Sequence, residues 1–267
     1  MVQKKSRVKV GAVSFLNTKP LIYTLSSEEI ELSFDVPSRL ADDLKAGHLD
    51  VAIIPIIEYF RAADELYRIL PHISISSRGA VRSIQLFSRI PIPEIRRVAL
   101  DTSSRTSRTL VQILLAEKYQ IYPEFISCLP TVHPRSVDTD ATLLIGDAAL
   151  RRLGSTEYAL DLGAEWQELT GLPFVYACWV VRDGVELRNI PQALLEAKES
   201  GIARIPEIAR VEAEKLGLPE ELCRDYLTHR ISFDLGDAEI AGLMKFYEFA
   251  VKYNLAVPDV PLRFVCQ

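Results

Sequence analysis

An α/β protein of two lobes is the fold that this 267-residue chain predicts, and three observations carry the expectation. Apolar, β-branched runs of strand length alternate with helical segments through the first two thirds of the chain. Two of those runs break into polar, hydroxyl-rich loops where a helix begins. Beyond residue 182 the strand pattern stops and helical segments follow one another.

Taken in order, Arg7 to Val13 is a β-branched strand that ends in the polar stretch Ser14 to Pro20. Leu21 to Leu25 lies in the helix that follows. Glu31 to Val36 alternates apolar and polar residues as a second strand does. Pro37 and Ser38 are stop and cap signals for a helix from Pro37 to Leu44, and Gly47 suits its end. Val51 to Ile54 is apolar throughout, the pattern of a strand covered by helices on both faces. This βαβαβ rhythm implies a parallel sheet with right-handed crossovers.

A second set begins at Val98 to Leu100, a short strand that ends in the loop Asp101 to Ser107 and leads to a helix from Arg108 to Tyr119. Phe125 to Leu129 and Ala141 to Ile145 are further strands, the latter running into Gly146, Asp147 and a helix from Ala148 to Leu153. Pro173 to Val181 is a long apolar strand. Helices then occupy about 186–203, 204–216, 219–228 and 237–253, separated by Gly and Pro. The Pro-rich stretch Arg89 to Glu94 is the expected first crossing between lobes, and Val180 to Gly184 the return. The first lobe is thus expected to span 1–92 and 183–267, its helical tail packed back upon it, and the second 93–182. Ligands of open α/β sheets bind outside the carboxyl ends of the strands, so both polar loops should line an interlobe cleft.

Composition narrows the function. Apolar residues make up 48% of the chain and charged residues 25%, the profile of a well-packed globule, with a net charge of −5. Scattered Lys and Arg on an acidic balance argue against a nucleic-acid surface or a basic membrane-binding face. No apolar run is long enough to span a bilayer, and none follows the basic N-terminus as a signal peptide requires, so a cytoplasmic protein is expected. Cys128, Cys178, Cys223 and Cys266 are far apart, read as small buried hydrophobes rather than a zinc site or disulfide framework. His48, His72, His133 and His229 are not at metal spacing, and no nucleophile elbow, phosphate loop or dinucleotide fingerprint is present. No cofactor or metal is expected, and the oligomeric state is not legible.

The residues able to carry chemistry are uncharged donors at helix starts. Unpaired N–H groups at a helix N-terminus can hold an anion, and Ser14, Asn17 and Thr18 add polar side chains beside such a start. The segment Thr102, Ser103, Ser104, Arg105, Thr106 and Ser107 offers five hydroxyls and a guanidinium at another. Each loop is either a capped turn or one side of a carboxylate grip, with Arg105 solvated or acting as a bidentate clamp. Gly146 permits a close backbone approach, and Asp147 either caps the next helix or accepts from a ligand hydroxyl. Ser83 interrupts a strand-like run and faces either the cleft or solvent.

The stretches VGAVSFLNTKPL (10–21), DTSSRTS (101–107), LIGDAAL (144–150) and LPFVYACWV (172–180) occur in matching order in the chorismate dehydratases, the MqnA-type enzymes of the futalosine route to menaquinone. The resemblance covers essentially the whole chain. It implies a periplasmic-binding-protein-like fold of the second type, an active site in the interlobe cleft, and loss of water from chorismate to give 3-[(1-carboxyvinyl)oxy]benzoate. It also implies that Asn17 and Ser83 stand at the chemistry. A sister enzyme of the same pathway is similar in fold but carries a different opening loop, rich in Ser, Pro and Cys. The competing class is a small-carboxylate binding protein of the same fold.

Overall fold

The computed structural model describes residues 7–62, 66–129 and 138–266. β1 (Val8–Val13) leads through a 3₁₀ turn, Leu16–Thr18, into the short helix α1 (Lys19–Ile22). β2 (Ile30–Asp35), α2 (Pro37–Lys45), β3 (Val51–Pro55), α3 (Ile56–Arg61) and β4 (Arg68–Ser77) follow. Next come β5 (Ile84–Ser88), β6 (Arg97–Asp101), α4 (Arg105–Tyr119), β7 (Glu124–Cys128), β8 (Ala141–Ile145), α5 (Gly146–Leu150), β9 (Tyr158–Asp161) and α6 (Leu162–Thr170). β10 (Phe174–Val181) precedes the tail of α7 (Ile190–Ala203), α8 (Ile205–Leu216), α9 (Glu220–Asp225) and α10 (Asp237–Lys252). One π-helical turn, Tyr226–Arg230, extends α9.

The strands form two five-stranded sheets with the same pattern of order, β2-β1-β3-β10-β4 and β7-β6-β8-β5-β9. In each, three strands are parallel and the fourth runs antiparallel to its neighbours on both sides. Every residue of β3 and of β8 is buried, as helices on both faces of a parallel sheet require. β2 lies at an edge, where Ile30 and Leu32 turn inward and Glu31 and Ser33 outward, but Phe34 breaks the alternation and is exposed. Each sheet with its helices makes one lobe, so the two-lobed α/β expectation holds.

The sheets exchange the chain earlier than expected at both crossings. β5 already belongs to the second sheet, so the first crossing lies between Ser77 and Ile84 rather than at residue 92. β10 pairs antiparallel with β3 and β4, so the return precedes Phe174 rather than following residue 182. A wholly apolar run suits any central strand, and its pairing partners alone decide which sheet it joins. α1 stops at Ile22 and α4 starts at Arg105, each a few residues before the expected bound.

The tail packs on the first lobe. α7 lies against α1 and β4, α10 against β10, and Ser232 and Phe264 make bridges to the outer edge of β4. Gly201 of α7 admits this approach, because a Cβ there would stand 1.8 Å from the Pro20 carbonyl oxygen of α1. Trp166 of α6, Phe174 of β10 and Phe246 of α10 join edge to face, with ring centroids 5.0–6.3 Å apart. Cys178 and Cys223 are buried as expected, whereas Cys128 is half-buried and Cys266 exposed. His48, His72 and His229 are exposed, and His133 lies outside the described residues.

Candidate active site

The opening loop leaves β1 at Val13 and tightens at once into the 3₁₀ turn. That turn leaves Ser14 exposed, half-buries Asn17 and buries Thr18 completely. The Thr18 hydroxyl donates to Asn17 Oδ1 at 3.3 Å, so Thr18 steadies Asn17. The N–H of Leu16 donates to Asp147 Oδ1 of the other lobe at 3.2 Å. Burial raises the Asp147 carboxyl, and that N–H works against the rise. Asp147 therefore fastens the opening loop.

At the second loop the hydroxyls divide. Asp101 is wholly buried at the end of β6, and its Oδ1 accepts from Ser103 N at 2.7 Å and Ser103 Oγ at 2.6 Å. Ser104 caps α4, its Oγ accepting from Ser107 N and lying 3.0 Å from Ser107 Oγ. Thr106 Oγ1 accepts from Ile57 N of the first lobe at 3.3 Å. The guanidinium of Arg105 reaches Glu58 Oε2 at 2.7 Å and both carboxylate oxygens of Asp42 at 2.8 Å. Ser103, Arg105 and Thr106 are thus committed to protein partners, and Thr102 is tied through its N–H to Cys128 O. Arg105, open between a solvated cap and a clamp in the sequence, is an interlobe tie whose guanidinium is taken by carboxylates of α2 and α3.

Ser83 is placed by Asp161. The Asp161 carboxylate caps α6 through Gly163 and Ala164 N–H, and also accepts from Val81 N at 2.9 Å, Arg82 N at 2.6 Å and Gln85 Nε2 at 2.6 Å. Five donors on one carboxylate hold the crossing loop in a shape that puts Arg82 at φ +61°. Gly146, at φ +59°, donates its N–H to Ser83 O at 2.7 Å, and a Cβ on it would meet the Phe15 ring at 3.0 Å. Ser83 Oγ accepts from Tyr226 OH at 2.8 Å. Both Ser83 and Tyr226 are 1% exposed.

These elements enclose a cleft of about 440 Å³, counted to its open mouth, between the lobes. Asn17, Ser83, Ser104, Ser107, Gly146 and Tyr176 supply its polar lining, with Phe15 and Pro37 among the apolar walls. Ser14, Thr18, Thr102, Ser103, Arg105, Thr106 and Asp147 surround this lining without forming part of it. Among the described lining residues Tyr176 has the one titratable side chain; its OH lies 2.8 Å from Ser77 Oγ and burial raises it far above 10. A larger hollow of about 960 Å³ lies between β4 and the start of α7, and neither loop reaches it. Among the described residues no three His, Cys, Asp or Glu side chains group as metal ligands do.

Tyr226 was not legible as a site residue. It sits in the helical tail, 143 residues from Ser83, in a stretch without a motif. A tyrosine among the buried positions Cys223 and Leu227 is its one signal, since a buried phenol needs a partner.

Residues 8–252 match a family described by its role in menaquinone biosynthesis. The chain is 30% identical to a chorismate dehydratase of Thermus thermophilus, over 96% of this chain and 97% of that protein. It is 27% identical to a chorismate dehydratase of Campylobacter jejuni, over 92% and 99% of the two chains. In fold it is similar to a protein of Archaeoglobus fulgidus, with a TM-score of 0.75 at 18% identity, over 94% of this chain and 99% of that one. It is also similar to the alkanesulfonate-binding protein of Xanthomonas axonopodis, with a TM-score of 0.70 at 13% identity over 96% of each chain. The two-sheet architecture is accordingly that of the periplasmic binding proteins. Among the described residues no helix is long and apolar enough to cross a membrane.

Proposed function

The chain belongs to the menaquinone-biosynthesis family, and from that premise we propose that it is a chorismate dehydratase, a carbon–oxygen lyase that removes water from chorismate to give 3-[(1-carboxyvinyl)oxy]benzoate. The observation that carries the reading is the lining of the cleft: uncharged hydrogen-bond donors from both lobes, and no carboxylate, imidazole or amine among the described lining residues.

Chorismate needs little more than that. The hydrogen on ring carbon 3 is vinylogous to the ring carboxylate, so its removal delocalises charge onto that carboxylate as a dienolate. The bond from carbon 4 to its hydroxyl then breaks, the ring becomes aromatic, and one water leaves per molecule of substrate. Donors aimed at the carboxylate stabilise the developing charge. In this reading Ser104, Ser107 and the first-turn N–H groups of α4 take the ring carboxylate. Asn17 and Ser83 address the departing hydroxyl. The base is the substrate's own enolpyruvyl carboxylate, tethered beside the C–H bond, so that effective molarity replaces a protein base. It takes up the proton from carbon 3 and passes one to the leaving oxygen, which balances the step.

Incubation of the purified protein with chorismate tests the reading. Loss of chorismate with an equimolar aromatic ultraviolet absorber is the expected result. Binding of chorismate without turnover would make the protein a carboxylate receptor instead, and indifference to chorismate would point to another cyclic carboxylate.

A further inference from the structure

We propose that Tyr226 is a positioning residue for the reaction, one that spends its own proton on Ser83 and so directs the Ser83 proton into the cleft. The inference rests on the dehydratase reading and adds to it the group that orients its donor.

Proton counting leads to this assignment. A phenol carries one hydrogen and can also accept. Tyr226 donates that hydrogen to Ser83 Oγ at 2.8 Å. Ser83 thus accepts through one lone pair and keeps its own proton, on a residue that lines the cleft. Hydrogen bonds in series polarise one another, so accepting from Tyr226 strengthens Ser83 as a donor.

Independent contacts fix the two ends of this arrangement side by side. Arg82, next to Ser83, bridges Asp225, next to Tyr226, at 2.7 Å. Arg230 closes on the same Asp225 at 3.1 Å from the far end of the π-helical turn. The widened turn and the Asp225 ion pairs present Tyr226 to the crossing loop, and single π turns within helices are common at functional sites.

The test is a double-mutant cycle with chorismate on the full-length protein. Tyr226→Phe is expected to lower kcat by about 10- to 100-fold while KM changes by less than about threefold, because the ground-state contacts survive and the transition-state donor is lost. In a Ser83→Ala background the same substitution should lower kcat by no more than about twofold, since the proton it directs is gone. A kcat in Tyr226→Phe within twofold of the parent overturns the proposal. So does an equal loss in both backgrounds, which marks a purely structural tyrosine. If Tyr226→Phe does not fold, Asp225→Asn, which loosens the ion pairs that present Tyr226 to the crossing loop, is read by the same two criteria. Parent protein that turns over chorismate while either criterion fails sinks this inference alone; parent protein inert toward chorismate sinks the dehydratase reading with it.

Discussion

Arg105 Nη1 lies 2.7 Å from Glu58 Oε2, a contact that ties the first residue of α4 to a helix of the opposite lobe. With Asp42 at 2.8 Å on Nη2, the guanidinium spans the two lobes just outside the cleft lining. Arg105→Ala should therefore act through closure and raise KM for chorismate about three- to tenfold, the size expected of a partly exposed ion pair of about 1 kcal/mol. A double Asp42→Ala, Glu58→Ala variant should raise KM by a similar factor. A rise confined to Arg105→Ala would mean that the guanidinium contacts substrate itself.

Asn17→Ala and Ser83→Ala should each lower kcat by about 100-fold or more, as loss of a preorganised donor does. Thermal unfolding should shift by only a few degrees in each. Rates near that of the parent in both variants would remove these two residues from the chemistry.

Gly146 combines a positive φ with a ring packed on its Cα. Gly146→Ala should lower stability by about 1–2 kcal/mol for the backbone alone, and should push Phe15 off the cleft wall. The check is a denaturant titration alongside chorismate kinetics. Unchanged midpoint and rate together would show that the loop absorbs the methyl freely.

Asp161→Asn should disable Ser83 from a distance. An amide offers one acceptor oxygen where the carboxylate offers two, and turns an NH₂ toward the Arg82 N–H and the Gln85 amide. A loss of roughly 3 kcal/mol is expected from leaving such donors buried and unpaired. In protein that remains folded, kcat should fall toward the Ser83→Ala value. Full activity at reduced stability would mean that the crossing loop holds its shape unaided.

Burial raises the Asp101 carboxyl above its usual 3.8, against the Ser103 hydrogen bonds that lower it. The folded protein thus favours the protonated form more than the unfolded chain does. That contribution to stability is complete below the unfolded value and is lost as pH rises through the higher folded value. Asp101→Asn keeps the acceptor for Ser103 and carries no charge. The melting temperature of the variant relative to the parent should therefore rise between about pH 4 and pH 7. A flat or falling difference would show that the folded value is not raised.

What was legible in the chain was local. A polar break after an apolar run marks both β1 and β6 as strands that feed helix starts, and those two starts do meet across the cleft. Side-chain commitments were not legible, because they depend on partners far along the chain. Arg105 reads as a clamp until Asp42 and Glu58 arrive from 63 and 47 residues away. Thr106 reads as a free hydroxyl until Ile57 N points at it. β9 has only four residues, too few for a periodic signal, yet it ends in the Asp161 that shapes the Ser83 loop. β10 declared itself a buried strand but not its sheet, since an unbroken apolar run carries no information about register.

The placement of β10 between β3 and β4 also sets an order of events at the ribosome. β4 has β10 as its neighbour in the sheet, while Ser232 and Phe264 touch its other edge, and all of these are synthesised after it. From Ser77 to Val181 the chain adds about a hundred residues, roughly 5–20 s of elongation at typical rates. Throughout that interval β3 is the open edge of a three-stranded sheet and β4 has no strand beside it, and bare strands of both kinds pair with other chains. The strands β5 to β9 all emerge within the same window, so the second lobe has its full sheet while the first still waits for its fourth strand. The lobe that begins the chain is the one completed last, and its open β3 edge and unpaired β4 are where a stalled or truncated nascent chain would aggregate.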